Sequence, residues 1–105
     1  MRSTEYRNVS LPRLNNLKPS IESTALKLME EAGELAQLIG KYRGLNGEEC
    51  RMEESVVIDR IAEELLDVAQ VAVSMMYVLE ENYNIDLDEK LKQHIEKLMG
   101  KGYIK

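Results

Sequence analysis

The prolines at positions 12 and 19 are the last in the chain, so no residue from Ser20 to Lys105 lacks the backbone donor that a helix requires. Everything beyond Pro19 is free to be helical, and its apolar residues follow the helical period. Ile21, Ala25, Leu28, Ala32, Leu35 and Ile39 recur at alternating steps of four and three, which places them on one stripe. Ser20 is positioned as an N-cap, because its hydroxyl can accept from an otherwise orphaned N–H. Gly44 and the turn residues Leu45, Asn46 and Gly47 end this helix, which is expected over residues 20–43.

The acidic stretch from Glu48 to Glu54 reads as solvated, making residues 44–54 a connecting loop. A second helix is expected from Ser55 to Glu81. It carries two apolar series, Ile61, Leu65, Val68, Ala72, Met75, Leu79 and Ile58, Ala62, Leu66, Ala69, Val73. So wide an apolar arc implies burial against several neighbours. After a turn at Asn82, Tyr83 and Asn84, Asp86 and Glu89 form a capping-box pattern that starts a third helix, with Gly100 to close it.

No segment alternates with period two. The expected fold is therefore all-α: an antiparallel bundle of three long helices plus a short N-terminal helix or loop within residues 3–17. Homo-oligomerisation to a dimer or tetramer is expected to complete it, because the second helix needs more apolar partners than one chain supplies. At this length one domain over residues 1–105 is expected, with residues 1–19 as an N-terminal arm.

Charge and hydropathy exclude several functions. Fourteen Lys and Arg stand against nineteen Asp and Glu, a net charge of -5, with no basic run to follow a nucleic-acid backbone. The longest uncharged stretch, Val68 to Leu79, falls short of the roughly 20 residues that cross a bilayer, so no membrane association is expected. Cys50 is the single cysteine and the first residues lack an apolar signal region, which together favour the cytoplasm.

The chemistry lies in carboxylates. The first helix carries Glu30, Glu31 and Glu34 in MEEAGEL, and the second carries Glu63, Glu64 and Asp67 in AEELLDV. Within each helix, residues three apart lie about 60° apart and one turn along, so Glu31 with Glu34, and Glu64 with Asp67, each form a two-carboxylate claw. Glu31 is close on the helical wheel to Leu35, and Asp67 precedes the apolar run. Like charges near a packed interior need compensation, and hard divalent cations supply it: Mg²⁺ takes oxygen ligands and is commonly completed by substrate phosphates. The competing interpretation is a solvated acidic face, tied by Lys27 to Glu30 or Glu31 and by Arg60 to Glu63 or Glu64.

Other chemistries lack their parts. A di-iron carboxylate bundle needs Glu-x-x-His pairs, and the single histidine, His94, is preceded at three residues by Leu91. No Ser, Thr or Cys sits in a nucleophile elbow, and neither a P-loop nor a GxGxxG motif is present.

The pair LMEEAGELAQLIGKYRG and IAEELLDVAQVAVSMMYVL, with the closing KGY, resembles the MazG-like branch of the all-α nucleoside triphosphate pyrophosphohydrolases, marked by EExxE on one helix and ExxD on the next. The resemblance covers residues 20–103. It implies Mg²⁺, with Mn²⁺ able to substitute, held by Glu31, Glu34, Glu64 and Asp67. It also implies hydrolysis of a nucleoside triphosphate between the α and β phosphorus atoms. A carboxylate outside the ligand set, Glu30 or Glu63, would take the proton of the attacking water. Lys41 lies seven residues beyond Glu34 on nearly the same side, and relatives place phosphate contacts in the region of Lys97 and Lys101. Among the tyrosines Tyr42, Tyr77 and Tyr83 are nearest the motif helices; Tyr83 is the candidate for nucleotide contact and Tyr77 for the core. The asparagine that many relatives carry near the end of the last helix is replaced by Leu98, Met99 and Gly100, and the chain has no Trp or Phe. The alternative function is a MazG-like bundle that binds nucleotide or a protein partner without turnover.

Overall fold

The structure, a computed structural model, describes residues 4–44 and 53–105. The loop expected at 44–54, with Cys50, therefore lies largely outside the described residues. Three helices follow one another, α1 (Ile21–Arg43), α2 (Glu54–Tyr83) and α3 (Leu87–Gly100), and no strand occurs among the described residues. The all-α expectation holds.

Local chemistry sets the helix ends. Ser20 accepts from the Ser23 N–H at 3.0 Å while the Ser23 hydroxyl oxygen accepts from the Ser20 N–H at 2.8 Å, so two orphan donors are satisfied reciprocally. Gly44 ends α1 in the left-handed region at φ 68°, where glycine carries no Cβ penalty. Helix α2 runs past the expected turn to Tyr83, and Asn84 takes the left-handed position at φ 54°. Asparagine tolerates that conformation better than most residues, which lets the helix extend two residues beyond Glu81. Asp86 accepts from the Glu89 N–H at 3.0 Å and starts α3. Gly100 is the last residue of α3 rather than its terminator; the left-handed residue is Gly102, at φ 76°.

Helices α1 and α2 form an antiparallel hairpin. The Tyr42 hydroxyl near the end of α1 donates to Glu54 Oε1 at the start of α2, at 2.7 Å, and Thr24 near the start of α1 shares a cavity with Val71 and Ser74 far along α2. The most buried line on α2 is Val57, Ile61, Glu64, Val68, Val71, Met75 and Val78, a heptad repeat. On α1 it is Thr24, Leu28, Glu31, Leu35, Leu38 and Tyr42. Each line is displaced by three residues, about 60° around the helix, from the purely apolar stripe that the sequence shows. As a result Ala32 and Ile39 of α1 and Leu65 of α2 are exposed, contrary to expectation.

Polar residues with partners of their own permit this rotation. The Thr24 hydroxyl donates to the Ser20 carbonyl at 2.8 Å, so it enters the seam with its hydrogen satisfied. Glu31 enters beside Lys27 and Glu64.

The third helix does not close a three-helix core within the chain. It has no buried residue, and only α1 and α2 pack extensively on each other. The radius of gyration is 17.2 Å, against about 13 Å for a compact domain of this length. Residues 4–19 contain no helix; the loop alternative is the one found, with a turn at Asn15 and Asn16. This arm is fastened to α2. Gln70 Nε2 donates to the Pro12 carbonyl at 2.7 Å, Arg13 pairs with Glu81, and the Arg13 guanidinium lies 5.0 Å from the centre of the Tyr77 ring. Tyr77 is half-buried, partly as the core residue it was expected to be.

Candidate metal centre

Glu31 is the pivot of the site. Its place in the buried line of α1 leaves it 7% exposed, and Lys27, one turn earlier, pairs with it at 3.2 Å. Lys27 also approaches Glu30, at 3.8 Å. Those two contacts are the ones a solvated acidic face would have, and Glu30, Glu34, Glu63 and Asp67 are exposed; Glu31 departs from that reading by being buried, and Glu64 by being half-buried. The companion pairing of Arg60 with Glu63 or Glu64 is not formed among the described residues.

From α2 the equivalent seam position brings in Glu64. Oxygen atoms of Glu31, Glu64 and Asp67 all lie within 4.8 Å of one another, and so do those of Glu30, Glu31 and Glu34. Both claws read from the sequence therefore meet at Glu31. Glu64 Oε1 is buried with no hydrogen-bond partner.

The pair's electrostatics follow from this geometry. A hydrogen bond with Glu31, then burial, then the Glu31 and Glu34 charges push the Glu64 carboxyl up to about 7. The same hydrogen bond, with Lys27 adding, holds Glu31 below its ordinary value. The pair therefore retains a proton into the neutral range.

This arrangement fits a divalent cation. An orphaned carboxylate oxygen is a vacant donor, and a bound cation would displace the proton that the pair retains. The donors are all carboxylate oxygens, with no His or Cys in either group, as hard ions such as Mg²⁺ and Mn²⁺ prefer. Glu31, Glu34, Glu64 and Asp67 are the residues that could hold it.

The remaining expected residues divide. Glu63 belongs to neither group but lines a cavity with Glu34, Lys41, Arg60 and Glu64, so Lys41 does lie beside the acids. Tyr83 is 53% exposed at the far end of α2, about 28 Å along the helix from Glu64. Lys97 and Lys101 sit at the end of α3, Lys101 Nζ 6.0 Å from the centre of the Tyr103 ring. None of these three lines a described cavity beside the acids. His94 is exposed on α3.

Sequence reasoning missed the arm. On the other side of Glu31 and Asp67 a second cavity is walled by Leu14, Leu17, Lys18 and Pro19, together with Gln70, Val71 and Ser74. No spacing rule connects residues 14–19 to α2, so no sequence signal marks them. Arg60 was legible in principle, being one turn before Glu64 on the same face.

Over residues 19–101 the chain matches the MazG nucleotide pyrophosphohydrolase domain, and it belongs to that family. Members typically depend on a divalent metal, in keeping with the carboxylate groups. No curated protein and no solved structure gives a significant match to the chain. Among the described residues no helix is long and apolar enough to cross a membrane.

Proposed function

We propose that this chain is a Mg²⁺-dependent nucleoside triphosphate pyrophosphohydrolase that clears surplus or noncanonical nucleotides, releasing the monophosphate and pyrophosphate. The observation that carries the reading is the approach of Glu64 and Asp67 on α2 to Glu31 on α1, which Glu34 also adjoins, with Glu31 and Glu64 standing in a seam where apolar residues would otherwise pack. Two acids in a hydrophobic interface weaken it, and family membership supplies the reason to keep them.

When bound, the cation supplies charge neutralisation of the polyphosphate and acidifies water. The chain supplies the rest. Attack of a water oxygen on the α phosphorus breaks the bond to the bridging oxygen, which leaves with the pyrophosphate. Glu63, which adjoins the acids without belonging to either group, is one candidate to accept the water's proton. Glu30 is the other candidate, but Lys27 already engages it. Lys41, beside Glu34 and Glu63, offers its charge to a phosphate. Protomers pair through the apolar residues that a single chain leaves exposed on α1 and α2, as a homodimer or homotetramer.

The test is pyrophosphate release from canonical and modified nucleoside triphosphates, with Mg²⁺, with excess EDTA, and with the Glu34→Gln and Asp67→Asn proteins. Metal-dependent release abolished by either substitution, with the helical content retained, supports the proposal. No release from any triphosphate overturns it in favour of a bundle that binds nucleotide or a protein partner without turnover.

A further inference from the structure

The acid cluster interrupts a groove that runs along one face of the α1–α2 hairpin. Towards the start of α1 lies the arm cavity, of about 580 Å³, with Glu31 and Asp67 at its edge. Towards the end of α1 lies the other, of about 410 Å³, with Glu34 and Glu64 at its edge. Residues 27, 31, 34, 38 and 41 of α1 recur at helical spacing, so both cavities open on the same side of that helix.

The two halves differ in chemistry. The arm cavity has a mostly apolar wall, Leu14, Leu17, Pro19 and Val71, with the Gln70 amide across from it. It is large enough for a base and its sugar. It also holds two cations, Lys18 and Lys27, of which Lys27 is paired with Glu31. The other cavity brings Lys41 and Arg60 together, neither of them in an ion pair among the described residues. Glu34, Glu63 and Glu64 share this wall, so Lys41 and Arg60 suit a highly charged anion once a divalent cation neutralises the acids, and the guanidinium fork matches phosphate oxygens bidentately.

We infer that the groove sets the direction of the substrate, with the nucleoside against residues 14–19 of the arm and the departing pyrophosphate against Lys41 and Arg60. This rests on the pyrophosphohydrolase reading, which requires the α–β bond to lie at the acids. Once that bond is at the acids, the two products must occupy opposite sides of them. The apolar wall on one side, against the polar one with Lys41 and Arg60 outside any ion pair on the other, then favours one orientation. The arm, fastened to α2 through Gln70 and Arg13, becomes part of the nucleotide site, and Arg60 becomes a substrate-binding residue.

A crossed binding experiment tests the direction without using turnover. Calorimetric titration with Mg²⁺ present would compare the four 2′-deoxynucleoside 5′-monophosphates with pyrophosphate. Leu17→Trp, which fills the arm cavity from an exposed position, is expected to weaken the tightest monophosphate about tenfold or more and to leave pyrophosphate unchanged. Gln70→Leu, which removes one of the arm's two fastenings to α2, is expected to act in the same direction. Arg60→Ala is expected to weaken pyrophosphate about tenfold, the loss of a charge-assisted hydrogen bond, and to spare the monophosphate. The reverse pattern, equal effects on both ligands, or no monophosphate binding to the unaltered protein would each overturn the inference. If the crossed pattern appears but no triphosphate is hydrolysed, the orientation of binding stands and the proposed turnover falls.

Discussion

Glu31 of α1 and Glu64 of α2 occupy the same seam that holds the two helices together, with their carboxyl oxygens within 4.8 Å. The packed interface of the hairpin and the candidate metal centre are therefore one place, and the protonation of this pair bears on stability as well as on metal binding.

Metal-free stability should fall as pH rises through about 7. The native state raises the Glu64 carboxyl from 4.5 to about 7, so the folded protein holds a proton that the unfolded chain has released. That contribution is complete below pH 4.5 and lost as pH climbs through about 7. Glu31 works in the opposite sense: its carboxyl is depressed, so its contribution is present above pH 4.5 and lost as pH falls through its lowered value. Calorimetric melting in EDTA should show the melting temperature declining from about pH 5.5 to 8, and Glu64→Gln should flatten that decline. A wild-type melting temperature constant across this range would contradict the retained proton.

Divalent cation should reverse that loss. Binding must displace the Glu64 proton, so the apparent Mg²⁺ affinity should rise about tenfold per pH unit below pH 7 and level off above it. At a free concentration of about 100 times Kd the ion should stabilise the fold by about 2.7 kcal/mol. Titration calorimetry in two buffers of different ionisation enthalpy would count the released proton. Asp67→Asn should weaken binding while leaving the metal-free melting temperature nearly unchanged, since Asp67 is exposed.

The two candidate bases should separate kinetically. Glu63→Gln is expected to lower kcat for pyrophosphate release by about 10²–10⁴, the usual contribution of a positioned general base, with Mg²⁺ affinity preserved. Glu30→Gln should have a smaller effect on kcat, because Glu30 is 3.8 Å from Lys27 and its carboxylate lies within the group around Glu31. Rate measurements on both proteins at saturating Mg²⁺ would decide; a larger loss for Glu30→Gln would exchange their roles.

The three helices were legible because their signals are local. Ser20, Gly44 and Asp86 act on neighbouring backbone groups, and the three-to-four spacing of apolar residues needs no tertiary partner. The carboxylate claws were legible for the same reason: each is a pair one turn apart. The rotation of the seam was not. A stripe chosen by hydrophobicity alone omits Thr24, Glu31 and Glu64, yet Thr24 and Glu31 are buried because each finds a partner that hydropathy does not record, and Glu64 is half-buried beside Glu31. The arm was illegible for a different reason. Its attachment runs from Pro12 to Gln70 and from Arg13 to Tyr77 and Glu81, contacts between residues far apart in sequence and fixed only by the fold.

The uncovered apolar series on α2 should make the protein oligomeric. With the seam turned towards Glu64, Ile58 and Leu66 remain 47% and 50% exposed on the flank of the helix, while Leu26 and Met29 stand out from α1. Val57, at 0% exposure, is committed to the hairpin and serves as the internal control. Val57→Ala should cost roughly 2 kcal/mol of stability, the loss of buried methyl groups. Leu66→Asp should act on association instead: covering a neighbour's apolar surface with a charge is unfavourable, whereas in an isolated chain the same residue faces water. Sedimentation velocity should show wild type and Val57→Ala as dimers or tetramers and Leu66→Asp shifted to monomer. A monomeric wild type would mean that the extended shape, with its 17.2 Å radius of gyration, is maintained without a second copy of the chain.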